Sequence, residues 1–192
     1  MPCSEWAEPR AAPGWIAGSW ATAATRSKDN QISRRHSPAW VLSVFWAGAE
    51  TQIKAMTEAI GPLNAAGQCN EGFVRDDAIL VVTIITDEED GEEATAGDPA
   101  CWKQAVLQAK NDDEGAIVVL ALIGDTDVPM ALCTEYDPDV GTGAEASPNL
   151  RTFAESFEFG EWGSVCSTDY APFFEEAVSV IDTACEEFIP PE

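Results

Sequence analysis

This sequence predicts an α/β fold: a doubly wound, mostly parallel sheet with helices on both faces. Three observations predict it. Segments 79–86 (ILVVTIIT) and 116–124 (AIVVLALIG) are continuous apolar runs rich in β-branched residues, the pattern of strands covered on both sides. One-faced helical stretches stand before, between and after them. Twice a capping residue is followed by proline, at Asp98–Pro99 and Ser147–Pro148, the signature of a helix start.

In order along the chain, Ile53, Met56, Ile60 and Leu63 recur at spacings of three and four and give an amphipathic helix ending near Pro62. GQCNEG is a turn, and the first strand follows. Trp102, Ala105, Val106 and Ala109 form the buried stripe of the helix opened by Asp98, and NDDEG (111–115) ends it. After the second strand comes a long loop containing Cys133. Leu150, Phe153, Ala154 and Phe157 are then the apolar face of a third helix, GSVCS (163–167) is a short strand candidate, and 171–188 is the last helix. That helix aligns Phe174, Ala177, Val178, Ile181, Cys185 and Phe188, and Phe173 and Phe174 are read as core. Strands separated by helices imply right-handed βαβ units. The run helix–strand–helix–strand–helix–strand–helix amounts to half to two-thirds of a doubly wound domain.

The chain of 192 residues carries a formal net charge of −24, unevenly spread. Residues 1–48 hold five bases against three acids; the remainder holds five bases against 31 acids. Five of the seven tryptophans (Trp6, Trp15, Trp20, Trp40 and Trp46) also precede residue 49. Residues 1–46 are therefore expected to be a poorly ordered segment, and 47–190 a partial α/β domain. Within the first part, only 39–45 (AWVLSVF) is apolar enough to act as one more strand and cover a sheet edge. The acidity argues against nucleic acid as a partner. No apolar run of 18 residues exists, so no membrane span is expected. The first residues show no apolar core of a signal peptide.

Cys3, Cys69, Cys101, Cys133, Cys166 and Cys185 form no C-x-x-C pair, and the only histidine is His36, which excludes a zinc site on spacing. Six cysteines at wide spacing fit disulfides and an oxidising compartment. The candidates are Cys69, Cys101, Cys133, Cys166 and Cys185. Cys133 with Cys166 is the first choice, because both follow or sit in the C-terminal halves of sheet connections; spacing leaves the other pairings open.

In an open α/β sheet, ligands bind beyond the carboxyl ends of the strands. Asp87, Glu88, Glu89 and Asp90 lie at that end of the first strand, and Asp125 and Asp127 at that end of the second. Such oxygen donors suit Mg²⁺ or Ca²⁺. The alternative is a solvated acidic loop. No G-x-S-x-G, P-loop or G-x-G-x-x-G is present, and nothing selects one pair of carboxylates as acid and base.

AILVVTIITDEED followed by GDPACWKQAVLQAK, AIVVLALIGD, NLRTFAESF and YAPFFEEAVSVIDTACEEF resembles the C-terminal part of a von Willebrand factor type A domain, of the cysteine-containing kind in bacterial exported proteins and lipoproteins. The likeness covers about residues 47–190. It implies an incomplete three-layer, Rossmann-like sandwich in the cell envelope or outside the cell, and a non-enzymatic module that binds a protein ligand. It also implies a metal-ion-dependent adhesion site made from D-x-S-x-S after the first strand, a Thr in a second loop and an Asp after a later strand. Asp87 matches the last piece. DNQIS (29–33) lacks the middle Ser, and SVFWAGAE (43–50) lacks the Thr. Metal binding at Asp87, Glu88, Asp90 and Asp125 is therefore expected to be weak. A metal-assisted hydrolase using Asp87, Asp90, Asp125 and Asp127, or an inactive truncated fragment, are the alternative readings.

Overall fold

The computed structural model describes residues 51–90, 95 and 97–191; the expectations for segment 1–46, including a strand at 39–45, fall outside these residues. The elements are α1 (Gln52–Ile60), β1 (Leu80–Ile85), α2 (Pro99–Ala109), β2 (Ile117–Ile123), α3 (Pro148–Glu155), β3 (Phe159–Ser164) and α4 (Ala171–Glu187), with short 3-10 turns at Pro62–Asn64 and Glu114–Ala116. The strands form one parallel sheet in the order β1-β2-β3. Leu80 stands opposite Ile117, and Val118 opposite Phe159.

The alternation of side chains across the strands makes two cores. On one face, Leu80, Val82 and Ile84 of β1 and Ile117, Val119, Ala121 and Ile123 of β2 meet α1, α2 and α3 through Ile53, Met56, Trp102, Val106, Leu150 and Phe153. On the other face, Ile79, Val81, Val118, Leu120 and Phe159 meet α4 through Ala177, Ala184 and Phe188. Central β2 is buried along its whole length, as its two-sided composition requires. Asp98 caps α2 as expected, its Oδ1 accepting from the Cys101 amide at 2.9 Å. Lys110, 3% exposed, donates to the carbonyls of Arg75 at 2.6 Å and Ala78 at 2.8 Å, which fixes the entry into β1. Burial pulls its pKa below the usual lysine range.

Two expectations are corrected. The third strand is Phe159–Ser164, not 163–167. Its sequence, FGEWGS, has two glycines and no alternating apolar pattern. It is a strand because β2 offers it an edge and because Gly160 lets the chain turn tightly out of α3. A Cβ at Gly160 would lie 1.9 Å from the Ala154 carbonyl oxygen. Cys166 thereby falls in the loop beyond the strand. The second correction concerns α4, whose buried line runs through Ala177, Ala184 and Phe188, with Phe173, Val180 and Ile181 packed at its sides. Phe174 and Val178 are 43% and 56% exposed. Small alanines let this helix sit close to the sheet, and the larger residues are turned outward.

Candidate functional site at the carboxyl edge of the sheet

All three strands end at one edge. There the loops after β1 and β2, the turn after β3 and the N-termini of α1 and α3 converge. β1 leads directly into Thr86, whose hydroxyl accepts from Gln52 Nε2 at 2.8 Å and from the Glu88 amide at 3.1 Å. This turn aims the next four acids in different directions.

The acidic cluster does work that its sequence did not announce. Neither α1 nor α3 is capped by the side chain that precedes it. Asp90, wholly buried, accepts the Ile53 amide of α1 on Oδ2 at 2.7 Å. Glu89 accepts the Asn149 amide on Oε2 at 2.8 Å and the Leu150 amide on Oε1 at 3.3 Å, so it caps α3. Two neighbouring carboxylates thus satisfy the open donors of two helices and meet the positive ends of their dipoles. Ser147 holds the N-cap position of α3 but makes no side-chain cap, and its hydroxyl has no hydrogen-bond partner among the described residues. The expected local cap is replaced by a residue 60 positions away.

Burial raises the Glu89 pKa above its ordinary value of 4.5, while the amides of Asn149, Asp90 and Leu150 oppose the shift. The folded chain therefore holds this proton to higher pH than the unfolded chain does. Stability contributed by Glu89 is complete at and below its ordinary pKa and is lost as pH rises through the raised value. Glu89→Ala should cost about 1–2 kcal/mol through the uncapped helix. The gap between wild type and variant should widen as pH falls from 7 toward 4.5, the ordinary value. Chemical denaturation across that range checks it; a gap that narrows toward acid would mean that the amide bonds to the carboxylate outweigh its burial.

Asp125 is also turned inward. It is 4% exposed, and its oxygens accept the Leu132 and Cys133 amides, both at 2.8 Å. That folds the loop after β2 back over β3 and delivers Cys133 to Cys166, to which it is disulfide-bonded. Cys101 is disulfide-bonded as well, Cys69 is an exposed thiol, and Cys185 is not in a disulfide. Asp127 pairs with Arg151, whose guanidinium lies 5.3 Å from the centre of the Trp162 ring. Hydrogen bonding to Arg151 holds the Asp127 carboxyl below the usual range. Further along, the Glu145 amide donates to the Asp87 carbonyl at 2.8 Å, and the Glu145 carbonyl crosses so close to Gly124 that a Cβ there would lie 1.8 Å from it. Gly124 is required by that crossing.

The expected cation ligands are therefore not gathered. Asp87 is exposed and Glu88 half-buried, whereas Asp90 and Asp125 point into backbone amides. Among the described residues no group of three or more His, Cys, Asp or Glu side chains could hold a metal ion. As arranged, these four side chains supply fewer oxygens than the full shell that Mg²⁺ or Ca²⁺ takes. No family model, curated protein or solved structure matches this chain. No described helix is long and apolar enough to cross a membrane.

Sequence reasoning missed Glu89 and the structural use of Asp90 and Asp125. No local signal was available: Thr51 and Ser147, both residue types that cap helices, hold the N-cap positions of α1 and α3 yet make no side-chain cap.

Proposed function

We propose that this chain is an extracytoplasmic, non-enzymatic binding module of the von Willebrand factor type A-like kind, with a degenerate metal-ion-dependent adhesion site, that contacts a protein ligand at the carboxyl edge of its sheet. The observation that carries this reading is the layout of that edge. Asp87 faces solvent after β1, in the position the resemblance gives to a metal-site aspartate, while Asp90, Glu89 and Asp125 are occupied by backbone amides. A surface whose carboxylates hold loops and helix ends in place suits presentation of a rigid contact face better than acid–base chemistry. The Cys133–Cys166 cross-link supports an oxidising, extracytoplasmic setting.

The competing hydrolase reading needs Asp87, Asp90, Asp125 and Asp127 to act on one substrate. Asp125 and Asp127 are already engaged by Leu132, Cys133 and Arg151, which counts against it. Calorimetry with Ca²⁺ and with Mg²⁺ tests the degenerate site. Binding is expected at about millimolar strength, as for sites with few ligands, and is expected to vanish in Asp87→Ala. Micromolar affinity that survives Asp87→Ala would overturn the assignment. An ester panel with Mg²⁺ or Mn²⁺ should give no turnover; turnover abolished by Asp87→Ala would establish the hydrolase instead. A cooperative thermal melt of the full chain is expected; a chain that melts without cooperativity would favour the truncated-fragment reading.

A further inference from the structure

The loop between β2 and α3 displays apolar side chains at the carboxyl edge of the sheet. Ten large hydrophobic side chains are exposed among the described residues, and four of them, Met130, Leu132, Tyr136 and Val140, fall within residues 130–140. Exposed apolar residues scattered singly need no explanation, whereas a concentration of them on one loop marks a contact surface. Met130 is 96% exposed and Leu132 62%.

The display is held in place. The Asp125 carbonyl accepts the Val128 amide at 3.0 Å, and the Val128 carbonyl accepts the Ala131 amide at 3.3 Å, so Pro129 and Met130 form the tip of a tight turn. Asp125 Oδ2 accepts the Leu132 amide, its Oδ1 accepts the Cys133 amide, and the disulfide to Cys166 anchors the far end. The backbone of Leu132 is thus fixed while its side chain stands in solvent. Met130 takes a left-handed backbone, φ 63°, which favours glycine or asparagine over any larger residue. A strained position filled by a long, adaptable apolar side chain, with almost nothing of its own chain against it, points to a partner.

Charge selects that partner. From Gly124 to Ser147 the sequence has six acids and no Lys, Arg or His. Asp125 is engaged by amides and Asp127 by Arg151. Glu135, Asp137 and Asp139, interleaved with the apolar residues, remain exposed. The whole chain carries a formal charge of −24, so an anionic lipid surface and a second copy of this chain are both repelled. The complementary surface is an apolar stripe bordered by Lys or Arg. A basic amphipathic helix has that form.

We propose, resting on the protein-binding reading of this chain, that Met130 and Leu132, together with Tyr136 and Val140 of the same loop, form a docking surface for a basic amphipathic helix of another protein. The apolar side chains meet the stripe of that helix, and Glu135, Asp137 and Asp139 meet the bases along its borders.

The probe is a synthetic peptide of about 14 residues, leucine on one helical face and lysine on the other, titrated calorimetrically into the full-length chain at about 50 mM salt. The dissociation constant should be about 10 μM. It should rise at least about tenfold in Met130→Ser/Leu132→Ser, and at least about tenfold when every leucine of the peptide is replaced by serine. Val178→Ser, on α4, should leave it unchanged. Absence of binding would overturn the proposal, as would equal binding by the double variant or by the serine peptide, which would reduce the contact to charge attraction. Both substituted side chains stand in solvent, so the double variant should melt within about 2 °C of the wild type. Should it melt lower, photocrosslinking of the wild type decides. A peptide with benzoylphenylalanine at one leucine position should label residues 128–140, and labelling only elsewhere refutes the proposal. A mass that doubles with concentration, or sedimentation with phosphatidylglycerol vesicles, each lost in the double variant, would assign a different occupant and overturn it. Ester turnover with peptide binding intact would unseat the non-enzymatic reading and leave this surface standing. No peptide binding and no turnover would unseat this surface alone.

Discussion

Replacing both Cys133 and Cys166 by serine should lower the unfolding free energy by about 3–4 kcal/mol, the chain-entropy value for a loop of this length. The cross-link spans 33 residues and encloses the later part of the loop after β2, together with α3 and β3. The loop has no strand ladder of its own: between Ile123 and Ser147 the backbone is held by the isolated bridges Glu135–Ala144 and Asp137–Thr142 and by single hydrogen bonds such as those of the Glu145 amide to Asp87 and the Ser147 amide to Gly124. Urea unfolding of the double variant measures the loss. Part of the effect acts through the unfolded chain, which expands without the link, so the slope of free energy against urea should rise as the midpoint falls. A midpoint displaced by less than about 0.5 kcal/mol equivalent would mean the loop is held by its other contacts.

Asp125→Ala should cost about 3 kcal/mol, because it leaves two inward amides, those of Leu132 and Cys133, without the charged acceptor they share. Asp125→Asn should recover only part of this, since its NH₂ group confronts one of the two N–H donors. The two perturbations act on one loop and should not add. In the chain carrying both serines, the Asp125→Ala cost should fall by about 1 kcal/mol or more in a double-mutant cycle. Strict additivity would show that Asp125 does not position Cys133.

Much of the fold was legible because burial writes itself into composition. β2 is apolar at every position because both faces are covered, and Asp98–Pro99 caps its own helix within four residues. Leu150, Phe153, Ala154 and Phe157 were visible for the same reason and are all buried. β3 was misplaced because its strand character comes from its neighbour and not from its residues. α4 was rotated because its periodicity admits two apolar faces, and the sheet selects the one with small side chains. The expected cation site failed on direction. Sequence places Asp87, Glu88, Asp90 and Asp125 at one edge, but cannot say that two of them turn inward to amides 37 and 8 residues away. Interactions at such range leave no local pattern.

The adjoining caps on α1 and α3 also constrain how this loop can change. Glu89 and Asp90 are consecutive, so one peptide unit sets the distance between the ends of two helices that are otherwise joined only through the core. An insertion between them, or a deletion between Thr86 and Glu89, would hand each helix the wrong carboxylate or none. The length of this turn is thus as strictly specified as any side chain in it. Loops elsewhere in the molecule can gain or lose residues at modest entropic cost, whereas here a change of one residue is a change of fold geometry.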